Sequence, residues 1–184
     1  SKERDTDQYV IKISDKFNTK TFGNRYILAD IESERQSISM NVDWTFTPDL
    51  TLQFFVSPFV MAYDFTDFKE LRKAGTFDFD YYGKDIGTLT LDQNGNSTID
   101  PDGVGPAESF TIGNRDFSFQ SVRLNAVLRW EYRPGSTLFF VWQQQRDNYV
   151  PRDGELNIGD DYRTLFENKP VNTFVIKASY WLGY

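Results

Sequence analysis

The stretch LDQNGNSTIDPDGVG, residues 91–105, is the densest run of hard-cation ligands in the chain. Asp92, Asn94, Asn96, the Thr98 carbonyl and Asp100 fall at alternate positions, the spacing with which a loop wraps oxygen ligands around Ca²⁺. Two departures weaken the match: Ser97 stands where such loops place Gly, and Gly103 where they place the bidentate Glu. Asp102 supplies a carboxylate in the wrong register. The candidate calcium set is therefore Asp92, Asn94, Asn96 and Asp100, set against a plain reading as a solvated Gly/Asn/Asp loop.

Other chemistry is sparsely represented. With no Cys and no His, thiol catalysis, thiolate metal sites and the commonest general base are excluded. Carboxylates abound over residues 64–116, so a glycosidase-type acid/base pair is one alternative, that of a surface hydrolase. No pair stands out by spacing, and no catalytic residue is assigned. Phe77, Phe79, Tyr81 and Tyr82 could stack on sugars, or simply extend a strand beyond the sheet. A net charge of -7 and a pI near 4.6 argue against a nucleic-acid partner, which needs a basic face.

The elements that must position these residues are strands. In SISMNVDWTF, Ile38, Met40, Val42, Trp44 and Phe46 share one face, and Ser37, Ser39, Asn41, Asp43 and Thr45 the other. In SVRLNAVLRWEY, Val122, Leu124, Ala126, Leu128, Trp130 and Tyr132 oppose Ser121, Arg123, Asn125, Val127, Arg129 and Glu131. Similar alternation runs from Leu50 onward, from Ser136 to Arg146 and through the closing TFVIKASYWLGY. Such segments, about 10 to 14 residues long, match a tilted strand crossing a bilayer. The turns TPDL and RPGS are tight, whereas residues 64–116 and 148–170 form long polar connections. Short turns at one end and long loops at the other are the pattern of outer-membrane barrels.

The expectation is an all-β fold: the C-terminal part, about six antiparallel strands, of a transmembrane outer-membrane β-barrel spanning residues 1–184. Aromatics beside the tight turns and at the terminus, namely Trp44, Phe46, Trp130, Tyr132, Tyr180 and Tyr184, would form a girdle at the periplasmic interface. The polar row Asn41, Asp43, Gln53, Arg123, Arg129, Glu131, Gln143 and Lys177 would face the lumen, as a selectivity lining or as structural ion pairs. Single-chain bacterial barrels have at least about 8 strands, so the missing ones are expected N-terminal to Ser1. The terminal aromatic row is what the outer-membrane insertion machinery would read. A soluble secreted β-sandwich binding ligand through its loops is the alternative, and it requires the apolar face of SISMNVDWTF to be packed inside.

RYILADIESERQSISMNVDWTFTPDLTLQFFVSPFV, FSFQSVRLNAVLRWEYRPGSTLFFVWQQ and NTFVIKASYWLGY resemble the C-terminal barrel region of an uncharacterised group of Gram-negative outer-membrane proteins. LRWEYRPGSTLFFVW is the most specific stretch. Longer members of that group open with a domain like carbohydrate-binding module family 9. The resemblance implies an outer-membrane location and partners in the lipid bilayer and in the rest of the same barrel and its N-terminal domain. A glycan ligand is implied only through that N-terminal domain, not by the residues of this chain. It maps no catalytic residue and no cofactor onto this chain.

Overall fold

A computed structural model describes residues 1–151 and 155–183. The fold is all-β with antiparallel sheets and one short helix. The strands are β1 (Lys2–Ser14), β2 (Asn24–Ser37), β3 (Met40–Thr47), β4 (Leu50–Leu71), β5 (Phe79–Tyr81), β6 (Thr88–Leu91), β7 (Ser97–Asp100), β8 (Phe110–Ile112), β9 (Phe117–Arg133), β10 (Ser136–Pro151) and β11 (Val171–Ser179). The helix α1 (Ile158–Glu167) lies between β10 and β11. The main sheet is an open path in the order β1-β2-β4-β9-β10-β11, with β3 and β5 also paired to β4; β6, β7 and β8 make a separate three-stranded sheet. Contacts divide the chain into two compact units, one of residues 1–34, 62–118 and 150–155, the other of 35–61, 119–149 and 156–184.

In the second unit the period-two pattern becomes register. Met40 faces Val56, Val42 faces Phe54 and Trp44 faces Leu52, while Asn41, Asp43 and Thr45 oppose Phe55, Gln53 and Thr51 on the other face. Leu138, Phe140 and Trp142 likewise face Ala178, Ile176 and Phe174, leaving Thr137, Phe139 and Gln143 opposite Ser179, Lys177 and Thr173. Because side chains alternate strictly, a one-residue slip would turn every apolar group to the polar face. β2 and β3 are separated only by Ile38 and Ser39, and the Ile38 amide donates to the Pro58 carbonyl at 3.1 Å.

The short turns lie together. The Glu131 amide donates to the Asp49 carbonyl at 2.8 Å, tying the β9–β10 end to the β3–β4 turn. In the β9–β10 turn Pro134 fixes one corner and Gly135 takes the next at φ +75°, a left-handed position that favours Gly. A Cβ on Gly135 would come within 2.9 Å of the Trp181 Cβ, so Trp181 closes over this turn. The Trp181 amide donates to Ser136 Oγ at 3.0 Å.

The first unit holds a core of Val10, Ile27, Ala29, Phe68, Tyr82, Ile99 and Ile112. Its last two isoleucines come from the three-stranded sheet, within the stretch that composition alone reads as a long loop. TLTL, STID and FTI are too short to show a period, yet the alternation in STID buries Ser97 and Ile99 and exposes Thr98. The second long connection also contains structure: β10 continues to Pro151, and α1 follows.

Candidate functional site

The first unit carries a half-open cavity of about 930 Å³. β4 brings Phe65, Asp67 and Phe68 to it, the segment after β5 brings Tyr82 and Lys84, and β6 brings Leu89 and Leu91. The β6–β7 turn adds Asp92, Gln93 and Asn94, and the β8–β9 link adds Asn114, Arg115 and Asp116. The lining combines apolar side chains with amide, carboxylate and guanidinium groups.

Each wall is fixed by specific bonds. Tyr82 donates its hydroxyl to Glu70 at 2.7 Å, and Arg25 grips the same carboxylate through two contacts of 2.7 and 2.6 Å. Burial, reinforced by Glu70, pushes the Tyr82 phenol well above its ordinary range, so it remains a donor. Asp67 sits at φ +49° within β4, a left-handed position that Asp tolerates better than most residues. It accepts from Lys84 at 2.6 Å and from Arg4 at 2.9 Å. Asp116 accepts the Phe65 amide at 2.9 Å.

Three of the four candidate calcium residues are brought together. Asp92 Oδ1 accepts the Asn94 and Asn96 amides at 2.8 and 2.9 Å, and Oδ2 accepts the Asn96 side-chain amide at 2.8 Å. Asn114 stitches this tip to the β8–β9 link, donating its amide to Asn96 Oδ1 at 3.0 Å and its side chain to the Asn94 carbonyl at 3.2 Å. Asp100 lies at the far end of β7, roughly 10 Å along the strand from Ser97. There its Oδ1 takes the Asp102 and Gly103 amides at 3.3 and 2.9 Å. Among the described residues no group of three or more Asp and Glu side chains is arranged to hold a metal ion. A cation at Asp92 would have to displace the turn's own hydrogen bonds.

Those bonds, the Asn96 side chain first, hold the Asp92 carboxyl below its ordinary range. That direction is opposite to what a general acid requires. A lowered folded value means the contribution to stability is present above the unfolded pKa and is lost as pH falls through the folded one. Asp92→Ala is expected to free the Asn94 and Asn96 amides and speed their hydrogen exchange, leaving exchange in β9 and β10 unchanged. Exchange measured by NMR on both regions checks this.

The residues expected on a polar strand face fall into local pairs in the second unit. Arg129 meets Glu131 at 2.8 Å, and Glu131 also accepts the Gly135 amide at 3.0 Å. Arg123 meets Asp147 at 2.8 Å. Lys177 lies over the Phe139 ring at 5.8 Å. Asp43 stands opposite Gln53, beside Asn41, and Gln143 opposite Thr173.

The aromatics beside the short turns also cluster. Trp44 stacks on Phe46 and Trp130 meets Tyr132, both with centroids 6.1 Å apart. Arg133 reaches the Tyr180 hydroxyl at 2.6 Å and lies over its ring. Tyr184 lies outside the described residues.

Two buried polar groups escape the sequence pattern. Lys69 is buried with Asp30 at 2.7 Å and Asp7 at 2.6 Å, and Gln120 is buried with Asp161 of α1 at 2.7 Å. The adjacent charges of Lys69 and Glu70, directly after the apolar run of β4, were the available signal for the first.

No curated protein and no solved structure matches the chain. A family described as "Domain of unknown function (DUF5916)" matches over residues 2–184. With nearly every residue covered by that match, the chain belongs to the DUF5916 family.

Proposed function

We propose that this chain is part of an outer-membrane β-barrel and serves as a membrane-embedded platform or solute pathway. The observation that carries this reading is the apolar row that runs from Ile38 through β3. Ile38, Met40, Val42, Trp44 and Phe46 are 51, 48, 36, 59 and 52 % exposed, and Phe174 and Ile176 of β11 are 73 and 67 % exposed. A water-soluble sandwich must bury such rows in its core, whereas lipid accepts them as they stand.

The strand edges support the same reading. Among the described residues β3 pairs only with β4, and β11 only with β10. Unpaired edges are not tolerated in hydrocarbon, so further strands complete the barrel against them. The polar row from Asn41 to Lys177 then faces the lumen, and the Trp44, Phe46, Trp130, Tyr132 and Tyr180 rings sit at the periplasmic interface. The cavity of the first unit takes a glycan, its Phe65 and Leu91 against the sugar face and Gln93 and Arg115 on the hydroxyls.

Fractionation of cells carrying the full-length protein tests this. The protein is expected in the outer membrane, resistant to alkaline carbonate and released by detergent. Recovery as a detergent-free soluble species would mean that the apolar faces pack against protein.

A further inference from the structure

We infer that α1 is an interfacial helix, which lays Phe166 and Ile158 on the outer-leaflet surface of the bilayer. This rests on the barrel reading above. The helix is held to the sheet at both ends. Asn157 caps its start, accepting the Asp160 amide, and Asp161 accepts the Asn157 amide at 3.0 Å. Asp161 and Thr164 both reach the buried Gln120 of β9, at 2.7 and 3.1 Å. At the other end Arg146 of β10 donates to the Phe166 carbonyl and, at 3.1 Å, to the Asn168 carbonyl.

A continuous line of side chains leads from there down the apolar face. Arg146 Nε donates to Gln144 at 3.2 Å; Gln144 and Trp142 both donate to Asn172 Oδ1, at 3.0 and 2.9 Å. Trp142 in turn stacks on Phe174 with their planes 6° apart. The helix therefore shares the face of the Phe140, Trp142, Phe174 and Ile176 row.

Height decides where the bilayer surface falls. From Tyr180 at the lower girdle to Phe174 is six residues, about 20 Å along the strand and roughly 15 Å along the membrane normal at a tilt near 40°. The apolar band of an outer-membrane barrel is about 25 Å tall, so roughly 10 Å remains above Trp142. Gln144 and Asn172 fall in that interval, and they satisfy each other, as polar groups facing hydrocarbon must. Arg146 is four residues above Trp142, about 10 Å up the normal by the same arithmetic. The C-terminal turn of α1 thus stands at the upper boundary. Phe166 is 55 % exposed there, its ring 5.6 Å from the Arg146 guanidinium, and Ile158 is 47 % exposed. An aromatic and an aliphatic side chain projecting from a helix anchored beside the lipid belt match a bilayer interface, where apolar groups dip below the headgroups.

The chain has no Cys, so single-cysteine variants take one label each. Full-length Phe166→Cys, Val42→Cys and Val104→Cys proteins, each carrying bimane, would be reconstituted into phosphatidylcholine vesicles with lipids doxyl-labelled at a shallow or a deep acyl position. Bimane at residue 166 is expected to be quenched about twofold more by the shallow label than by the deep one. Residue 42 should show the reverse preference, and the fully exposed residue 104 neither. Quenching at 42 but none at 166 would overturn the interfacial helix while leaving the barrel intact. Absence of quenching at both would overturn the barrel reading and the helix placement with it.

Discussion

Lys69→Met is expected to lower the stability of the first unit by about 3 kcal/mol, the lower end of what breaking a buried ion pair costs. Lys69 is 1 % exposed, and its side chain meets Asp30, itself nearly sealed, at 2.7 Å and Asp7 at 2.6 Å. The ammonium also lies over the Phe79 and Tyr81 rings at 5.0 and 5.2 Å. Methionine matches the stem in volume, so the change removes charge and hydrogen bonds with little loss of packing. Among the described residues Asp30 would keep the side chain of Arg4, at 2.7 Å and half exposed.

The three charges link β1, β2 and β4, so the effect should appear as faster amide exchange in β1, by about two orders of magnitude. Removing both buried partners, as Lys69→Met with Asp30→Leu, is expected to recover much of the loss, because no buried charge is left unpaired: Asp7 is 43 % exposed and Arg4 keeps Asp67. A single variant with unchanged exchange would show that the buried pair contributes nothing to holding β1.

The same network sets a pH window. Burial acts against both charges, but hydrogen bonds from Lys69 and Arg4 win at Asp30 and hold its carboxyl below the ordinary value of 3.8. Burial is likewise outweighed at Lys69, whose ammonium is raised above 10.5 by Asp30 and Asp7. The stabilisation from Asp30 is complete above its unfolded value and is lost as pH falls through the depressed folded one. That from Lys69 is complete below its unfolded value and is lost as pH rises through the raised folded one. Protection of β1 should therefore hold steady between about pH 5 and 9 and fall in acid below about pH 4.

Val42→Arg is expected to abolish membrane assembly. A cationic side chain on the lipid face at mid-depth costs roughly 2–4 kcal/mol, and the defect arises during insertion, before the barrel can relax around it. Val42 lies between Met40 and Trp44 on the exposed apolar row and faces Phe54. Asp43→Arg places the same charge one residue away on the face of Gln53, which the proposed barrel turns toward its lumen, and should assemble normally. Membrane levels of the two proteins, compared in the same cells, check the assignment of faces. Assembly of the first and failure of the second would reverse it.

The strands that carry these faces were legible because long alternation leaves few alternatives. Met40 to Phe46 sets apolar against polar for three repeats and Ile176 to Tyr180 for two, and the two tight turns fix where the chain reverses. What escaped was short or locally irregular. The strands of the three-stranded sheet are three or four residues long, below the span over which a period of two becomes visible. α1 was hidden by Gly159 and by its length of ten residues. Its signals were nevertheless present: Asn157 as cap, Asp160 and Asp161 in the first turn, and Ile158, Tyr162, Leu165 and Phe166 at helical spacing.

The site was less legible than the fold, for a geometric reason. Alternation predicts facing only along an unbroken strand, and Asp67 interrupts β4 with a left-handed backbone just before Lys69. Buried partners such as Asp30 and Gln120 are also far away in sequence, and nothing local marks Asp30 as the acceptor for Lys69. The Asp92 turn shows the converse. Its ligand-like spacing was plain, but the same oxygens serve equally well as acceptors for the turn's own amides.

The most direct test of a membrane-spanning barrel is the mobility of the full-length protein, extracted from outer membranes in mild detergent, on gels run with and without boiling. A closed barrel resists unfolding by the gel detergent until heated, so the unboiled protein should migrate ahead of the boiled one, and the unboiled Val42→Arg protein should lack the fast band. Identical mobility of native protein before and after boiling, with full solubility in the absence of detergent, would contradict the barrel.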